Sequence, residues 1–386
     1  MARHLLVTND FPPKTGGIQT YLHELWRRLE PGRAAVLTAS SHESAASFDE
    51  TSEIVIERVR ASTLFFPSWR AYRSIEAAIA RHDPELVLLD PAWPLGLLGP
   101  RLSRPFGVVL HGAEVTIPSR IPLVASSLRY VLRRARVAIC AGPFPEREAR
   151  RNSAETLCPV IQVPPGADTS LYRPLTPEER RAERERLGFD DGQFLVASWS
   201  RLVPRKGFDT LIRASAQLSS HYPSLHVLIG GRGRDRARLE RLATKLGAPV
   251  TFLGFVPESS QPQWIGACDL MVMNCRSRWL GLEQEGFGIV FIEAAAAGLA
   301  AVAGRSGGSH DAVLDEETGF VTENPRSVHD LARIIARLID DAELRRRVAA
   351  HALEAARFEF NWDFLARELA RQLEPYDRDR SPIRLA

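Results

Sequence analysis

The 386 residues exceed what one hydrophobic core accommodates, so the length implies two domains. An apolar fraction of 45% and a charged fraction of 25% describe a globular protein, and a net charge of +3 carries no nucleic-acid footprint. No apolar run reaches the roughly 18 residues of a membrane span, and Cys140, Cys158, Cys268 and Cys275 lack metal-type pair spacing, so reduced thiols in a cytoplasmic protein are expected.

The chain opens with Leu5-Leu6-Val7, which meets Asn9-Asp10 and then Pro12-Pro13. That is a first strand and its turn, not a signal peptide. Further short apolar runs predict strands at 34–38, 86–90, 107–110, 137–140 and 160–163, with amphipathic helices at 18–29, 68–81, 123–135 and 144–152. Strands and helices in this alternation imply a parallel sheet covered on both faces. The pattern breaks at Pro164-Pro165-Gly166 and at Arg173-Pro174, before a charged helix at 177–187.

The scheme then repeats. Strands are expected at 194–198, 225–229, 249–253, 269–273 and 299–303, and helices at 207–218, 234–246 and 289–297. Residues 326–375 read as three helices without strands. The expected fold class is therefore α/β, with two doubly wound, Rossmann-like domains facing a cleft. They comprise residues 1–173 and 174–360, and a last segment, 361–386, is expected to pack back on the first domain. Ligands of such sheets bind at the carboxyl ends of the strands.

The most informative stretch is Glu285-Gly286-Phe287-Gly288-Ile289, which leads into an apolar helix that carries Glu293 about one turn later. Glycines let a ligand approach the backbone, and the first N–H groups of the helix have no internal partner, so an anion seat is expected there. Two carboxylates beside it suit the hydroxyls of a sugar nucleotide. The bland alternative is an ordinary helix start with two solvated glutamates.

Arg201 and Lys206 lie in Ser200-Arg201-Leu202-Val203-Pro204-Arg205-Lys206-Gly207, after the first strand of the second half. An arginine fork and a lysine point charge both suit phosphate oxygens. Lysine occurs only at positions 14, 206 and 245, which makes its use here notable, although a solvated basic loop explains it as well. Gly16-Gly17 opens the first helix, and His111-Gly112 ends a strand. Taken singly, a glycine pair is usually a turn and a histidine is usually structural. Gly230-Gly231-Arg232-Gly233 fails the dinucleotide fingerprint because position 236 is Arg, which disfavours nicotinamide binding. Along the helix near 123–136, Arg129, Arg133 and Arg136 line one face and Leu128, Val131 and Leu132 another, a pattern shared by solvated and by anionic-membrane helices.

In combination these pieces resemble the retaining glycosyltransferases of family 4, which have the GT-B fold, over roughly residues 4–375. Within that family the chain is most similar to the actinobacterial phosphatidylinositol mannoside mannosyltransferases. That similarity rests on Val7-Thr8-Asn9-Asp10-Phe11-Pro12-Pro13, Gly16-Gly17-Ile18-Gln19, Cys275-Arg276-Ser277-Arg278 and Glu283-Gln284-Glu285-Gly286-Phe287-Gly288-Ile289-Val290. The resemblance implies transfer of mannose from GDP-mannose to a lipid-linked acceptor at the inner face of the membrane, with no metal and no other cofactor.

Residue roles follow from the same resemblance. Arg201 and Lys206 would grip the diphosphate, Glu285 would hold sugar hydroxyls and Glu293 the ribose. Gly286, Phe287, Gly288 and Ile289 would offer backbone amides. His111 would reach the donor sugar, Gly16 and Gly17 would lie near the diphosphate and acceptor, and Gly254, Phe255 and Val256 would lie along the base. The chain departs from the family at His310-Asp311, where Pro-Glu is common, at Asn274 in place of proline, and at Glu316 in place of a turn glycine. A family 4 transferase that uses another nucleotide sugar and a different acceptor, a glycoside hydrolase, a sugar-nucleotide epimerase and a non-catalytic anionic-lipid binder are the rival readings. Oligomeric state is not specified by any of these features.

Overall fold

His-Leu-Leu-Val-Thr at His4–Thr8 is buried along its whole length and forms the first strand, β1. A strand with no solvent face has no reason to alternate polar and apolar residues, so it reads as a short apolar run. The computed structural model describes residues 1–40, 43–60, 63–153 and 157–377, and it contains two sheets built from such strands.

The first sheet holds β1, β2 (Ala34–Ser40), β3 (Val55–Arg60), β4 (Leu86–Asp90), β5 (Phe106–Leu110), β6 (Ala138–Cys140) and β7 (Val160–Gln162). Its order is β3-β2-β1-β4-β5-β6-β7, parallel throughout. The connecting helices are α1 (Gly17–Trp26), α2 (Ala45–Glu50), α3 (Trp69–His82), α4 (Ala113–Ser119), α5 (Pro122–Arg134) and α6 (Pro143–Ser153). Ile75 of α3 and Leu128 and Val131 of α5 share one core with Val7, Leu89 and Val108 of the sheet.

The second sheet runs β10-β9-β8-β11-β12-β13 and is again parallel. Its strands are β8 (Phe194–Trp199), β9 (Leu225–Gly230), β10 (Val250–Gly254), β11 (Leu270–Met273), β12 (Ala300–Gly304) and β13 (Gly319–Thr322). Around it lie α7 (Pro177–Leu187), α8 (Phe208–Leu218), α9 (Arg236–Leu246), α10 (Gln261–Gly266), α11 (Ile289–Ala296), α12 (Val328–Asp340) and α13 (Ala342–Phe358). A last helix, α14 (Trp362–Gln372), sits on α1, where the Trp362 and Tyr21 rings are 6.3 Å apart and Arg28 Nε donates to Asp363 Oδ1 at 2.8 Å.

The chain thus divides into a first unit, Met1–Pro165 with the segment from Trp362, and a second unit, Gly166–Asn361. The boundary falls ahead of the one expected after Arg173, because residues 166–176 are tied to the second unit. Ala167 N donates to Phe360 O at 2.8 Å, Asn361 Nδ2 donates to Thr169 Oγ1 at 2.7 Å, and Tyr172 is buried in the second core. The expected final segment, 361–386, runs at its end into residues 378–386, which lie outside the described residues.

Two strands escaped the sequence pattern. β3 (Val-Ile-Glu-Arg-Val-Arg) is an edge strand with both ends exposed, so its composition is charged, and β13 has only four residues, the first a glycine. Each sheet reverses its strand order once, between β1 and β4 and between β8 and β11, and the carboxyl ends of those strands are where open α/β sheets bind ligands.

Candidate active site

β8 ends at Trp199, and the chain then closes a short 3₁₀ turn, Pro204–Lys206, at the second sheet's reversal. That turn directs two cations at one carboxylate. Lys206 Nζ lies 2.8 Å from Glu285 Oε2, and Arg205 Nη1 donates to the same oxygen. Cys275 Sγ donates to it as well, at 3.4 Å. Lys206 and Glu285 are 6% and 8% exposed, so the ion pair is largely out of water. Burial alone would raise the Glu285 pKa. Lys206 and then Arg205 more than cancel it and hold the carboxyl down at about 2. Glu285 Oε1 accepts from no protein donor among the described residues, so one carboxylate oxygen is saturated and the other is available.

The backbone of Glu285 is fixed just as firmly. Gly308 N donates to Glu285 O at 2.9 Å and Ser306 Oγ accepts from Glu285 N at 3.3 Å. A Cβ at Gly307 would stand 2.1 Å from Glu285 O, so this turn tolerates no side chain there. Arg201 takes no part in the cluster. It is exposed and has no side-chain partner among the described residues.

Gly288 enters α11 with φ 94°, a left-handed conformation that costs glycine nothing. No side chain caps this helix, and the N–H groups of Ile289 and Val290 meet no protein acceptor among the described residues. These are the orphan donors of a helix start, at its positive end. Glu293, one turn on, accepts from Trp199 Nε1 at 3.2 Å and also meets the Tyr172 hydroxyl. Burial dominates its environment, with the Glu258 charge acting in the same direction, and the carboxyl is pushed up to about 7.

Gly254 ends β10 with φ 73°. Phe255 follows, 57% exposed, and the Arg232 guanidinium lies over its ring at 5.0 Å. Phe255 and Val256 line a pocket of about 540 Å³ together with Leu253, Pro257, Ser260 and Trp264. A flat wall with a cation on it suits a base.

In the first unit, Gly16 caps α1, and the loop before it is held by Gln19 Nε2, which donates to Asp10 Oδ1 at 2.7 Å. His111 follows β5. Its Nε2 lies 3.1 Å from Asp90 Oδ1 at the end of β4, and Thr8 Oγ1 donates to Asp90 Oδ2 at 2.6 Å. Burial works against an imidazolium here, but the Asp90 carboxylate, with Glu114 and Asp10 behind it, holds the His111 pKa above its ordinary value. On α5, Arg129, Arg133 and Arg134 are exposed and Leu128, Val131 and Leu132 are buried, whereas Arg136, expected on the same helix, is exposed just beyond its end because Ala135 turns to an extended conformation.

The structure therefore brings Lys206 and Glu285 together, next to Gly286–Ile289, with Glu293 on the same helix. The reading of the sequence missed Arg205, which pairs with Glu285 alongside Lys206. It also missed Trp199 and Tyr172 around Glu293, and Thr8 and Asp90 behind His111. Arg205 carried a signal in its adjacency to Lys206. The others are set by strand register or, for Tyr172, by the packing of the segment after the unit boundary, and had none.

A family model described as "Glycosyl transferases group 1" matches residues 179–354. The chain is 36% identical to the GDP-mannose-dependent alpha-(1-6)-phosphatidylinositol monomannoside mannosyltransferase of Mycobacterium tuberculosis, over 98% of this chain and 100% of that one. It is 33% identical to the GDP-mannose-dependent monoacylated alpha-(1-6)-phosphatidylinositol monomannoside mannosyltransferase of Corynebacterium glutamicum, over 97% and 98%. Among solved structures it superposes on Anabaena HepE in complex with UDP (TM-score 0.82, 23% identity, 97% and 100% coverage). It also superposes on a sucrose-phosphate synthase from Thermosynechococcus elongatus (0.78, 20%, 97% and 98%). Both structural likenesses bear on the fold.

Proposed function

Because the chain belongs to the group 1 glycosyltransferases of GT-B fold, and among them to the actinobacterial phosphatidylinositol mannoside mannosyltransferases, we propose that it transfers mannose from GDP-mannose to a phosphatidylinositol mannoside. The observation that carries this reading is the Glu285 cluster beside the open start of α11. Lys206 and Arg205 each spend one donor on Glu285 Oε2 and keep others for a diphosphate. Ile289 and Val290 add backbone donors. As the sugar–phosphate bond breaks, charge grows on the diphosphate, and donors fixed in advance where it grows lower the barrier. Arg201, unpaired and exposed nearby in sequence, is a third phosphate contact. Glu285 Oε1 takes a sugar hydroxyl, and Glu293 takes the ribose hydroxyls. The acceptor hydroxyl attacks from the leaving-group side and passes its proton to a diphosphate oxygen, so the step needs no dedicated protein base and no metal.

The acceptor is a membrane lipid, and no helix among the described residues is long and apolar enough to cross a membrane. The protein acts as a peripheral enzyme at the inner membrane face, through the exposed arginines of α5. Incubation with radiolabelled GDP-mannose and vesicles that contain a phosphatidylinositol mannoside tests the reading. Label should move into lipid. Free mannose instead would indicate a hydrolase, isomerised GDP-sugar an epimerase, and label retained in GDP-mannose would reject the assignment.

A further inference from the structure

β11 ends at Met273, and the chain makes a short loop before it reaches Glu285. An antiparallel bridge between Arg278 and Glu283 closes the base of this loop. Arg278 N donates to Glu283 O at 2.9 Å, Glu283 N donates to Arg278 O at 3.3 Å, and Arg278 Nη1 donates to Glu283 Oε2 at 2.7 Å. Gly281 N donates to Arg278 O at 3.0 Å, and Gln284 Nε2 donates to Gly281 O at 2.7 Å. The polar groups of the loop thus bond to one another, and its apolar side chains point outward. Trp279, Leu280 and Leu282 are 61%, 96% and 38% exposed. Trp279 and Leu280 also have φ of 48° and 53°, the left-handed region that L-residues avoid. Glycine or asparagine would relieve that strain and remove apolar surface from water at once, so the two large residues are unfavourable on both counts in the isolated unit.

We propose that this loop is a membrane-contact element of the second unit, with Trp279 and Leu280 dipping into the interface of a phospholipid bilayer. The proposal rests on the reading of the acceptor as a membrane lipid given above, and such a contact holds the Glu285 site at the surface where that lipid resides. The charge around the tip fits a bilayer. The Arg278 guanidinium lies over the Trp279 ring at 4.6 Å. Arg326 is exposed, donates to Ser277 O at 3.2 Å and has no carboxylate partner among the described residues. Glu283, the carboxylate of the loop, is neutralised by Arg278. An indole with arginines behind it suits the boundary between acyl chains and anionic headgroups. A protein partner fits less well. Three such side chains offer on the order of a few hundred Å² when covered, short of the roughly 800 Å² per partner of a stable interface. A bilayer requires no match of shape.

Vesicles of phosphatidylcholine and phosphatidylglycerol, free of mannosylated acceptor, test the contact. Of the seven tryptophans, Trp69 and Trp279 are the two most exposed, at 70% and 61%. In the Trp69→Phe variant, Trp279 is therefore the exposed reporter. Its emission should shift to shorter wavelength when vesicles are added and should be quenched by brominated acyl chains. Both changes should vanish when Trp279→Phe is added to that variant. Leu280→Asn suits the left-handed backbone and alters no charge. It should weaken vesicle partition on the order of tenfold. The factor should be the same at low and high salt, because apolar burial is not screened as arginine contacts are. Turnover of Leu280→Asn on a detergent-dispersed acceptor should equal the parent's. An unquenched Trp279, or unchanged partition of Leu280→Asn, overturns the proposal. So does a shift that depends on protein concentration without lipid, which would assign the tip to a second copy of the chain. Label transfer from GDP-mannose with an unquenched Trp279 rejects the loop and keeps the mannosyltransferase reading, whereas quenching without transfer does the reverse.

Discussion

Glu285 is a buried carboxylate that remains ionised because two cations share one of its oxygens. Lys206→Ala removes one of the two charges that pair with Glu285 and one contact from the diphosphate at once. Turnover should drop on the order of a hundredfold, and the fold should lose about 1–3 kcal/mol from the under-paired carboxylate. The pH sign follows from the lowered pKa. The pair's contribution is present above the unfolded carboxyl value of 4.5 and is lost as pH falls toward the folded value of about 2. Melting curves of the two proteins should therefore differ at pH 7 and converge toward pH 3. A gap that stays constant over that range would show that the lost stability does not come from the ion pair. Arg201→Ala breaks no side-chain hydrogen bond or ion pair among the described residues, so its melting curve should match the parent while its turnover falls. Near-normal turnover in either variant would remove that residue from the diphosphate site.

α11 combines the parts of the site that the sequence displayed and parts that it hid. Its start was legible because Gly286 and Gly288 punctuate an apolar run, and the position of Glu293 follows from helical spacing alone. What sets the chemistry of Glu293 was not legible. Trp199 and Tyr172 come from a strand end and from the segment after the unit boundary, and only the folded packing of the second unit places them on this carboxyl. That packing, chiefly burial, raises Glu293 to about 7. The folded chain then holds a proton that the unfolded chain releases above about 4.5, so stability from this group falls as pH rises from about 4.5 through 7 and levels off beyond. Glu293→Gln removes the charge that burial opposes. It should melt with the parent at pH 4 and above it at pH 8, by up to about 3 kcal/mol at 1.36 kcal/mol per pKa unit. Its GDP affinity should be lower, since an amide is a poorer acceptor for ribose hydroxyls. An equal melting difference at pH 4 and pH 8 would show that Glu293 does not titrate between them.

Across the whole molecule, the two doubly wound sheets were readable because strands covered on both faces are apolar and regularly spaced. The edge strands β3 and β13 were not, since an edge accepts charge and brevity. The unit boundary was misplaced because residues 166–173 look like a linker and yet carry Tyr172 and Ala167 into the second core. The arginine side of α5 has a pattern that solvated and anionic-membrane helices share. The first unit adds an observation. Phe65, Phe66 and Trp69, just before and at the start of α3, are 51%, 62% and 70% exposed, and Leu123 at the start of α5 is 87% exposed. α3 and α5 pack into the same core, so apolar tips and basic side chains both occur on helices of the first unit. An anionic bilayer rewards that combination, with apolar tips in the interface and each arginine worth about 1 kcal/mol near the surface. Flotation with vesicles rich in anionic phospholipid should recover the protein at low salt and much less of it at high salt. Joint Arg129→Ala, Arg133→Ala and Arg136→Ala substitutions should weaken binding by about 3 kcal/mol on the same scale, roughly a hundredfold. They should leave turnover on a detergent-dispersed acceptor intact, because none of the three belongs to the donor site. Unchanged flotation in that variant would show that α5 faces water and that the lipid acceptor is reached through another surface.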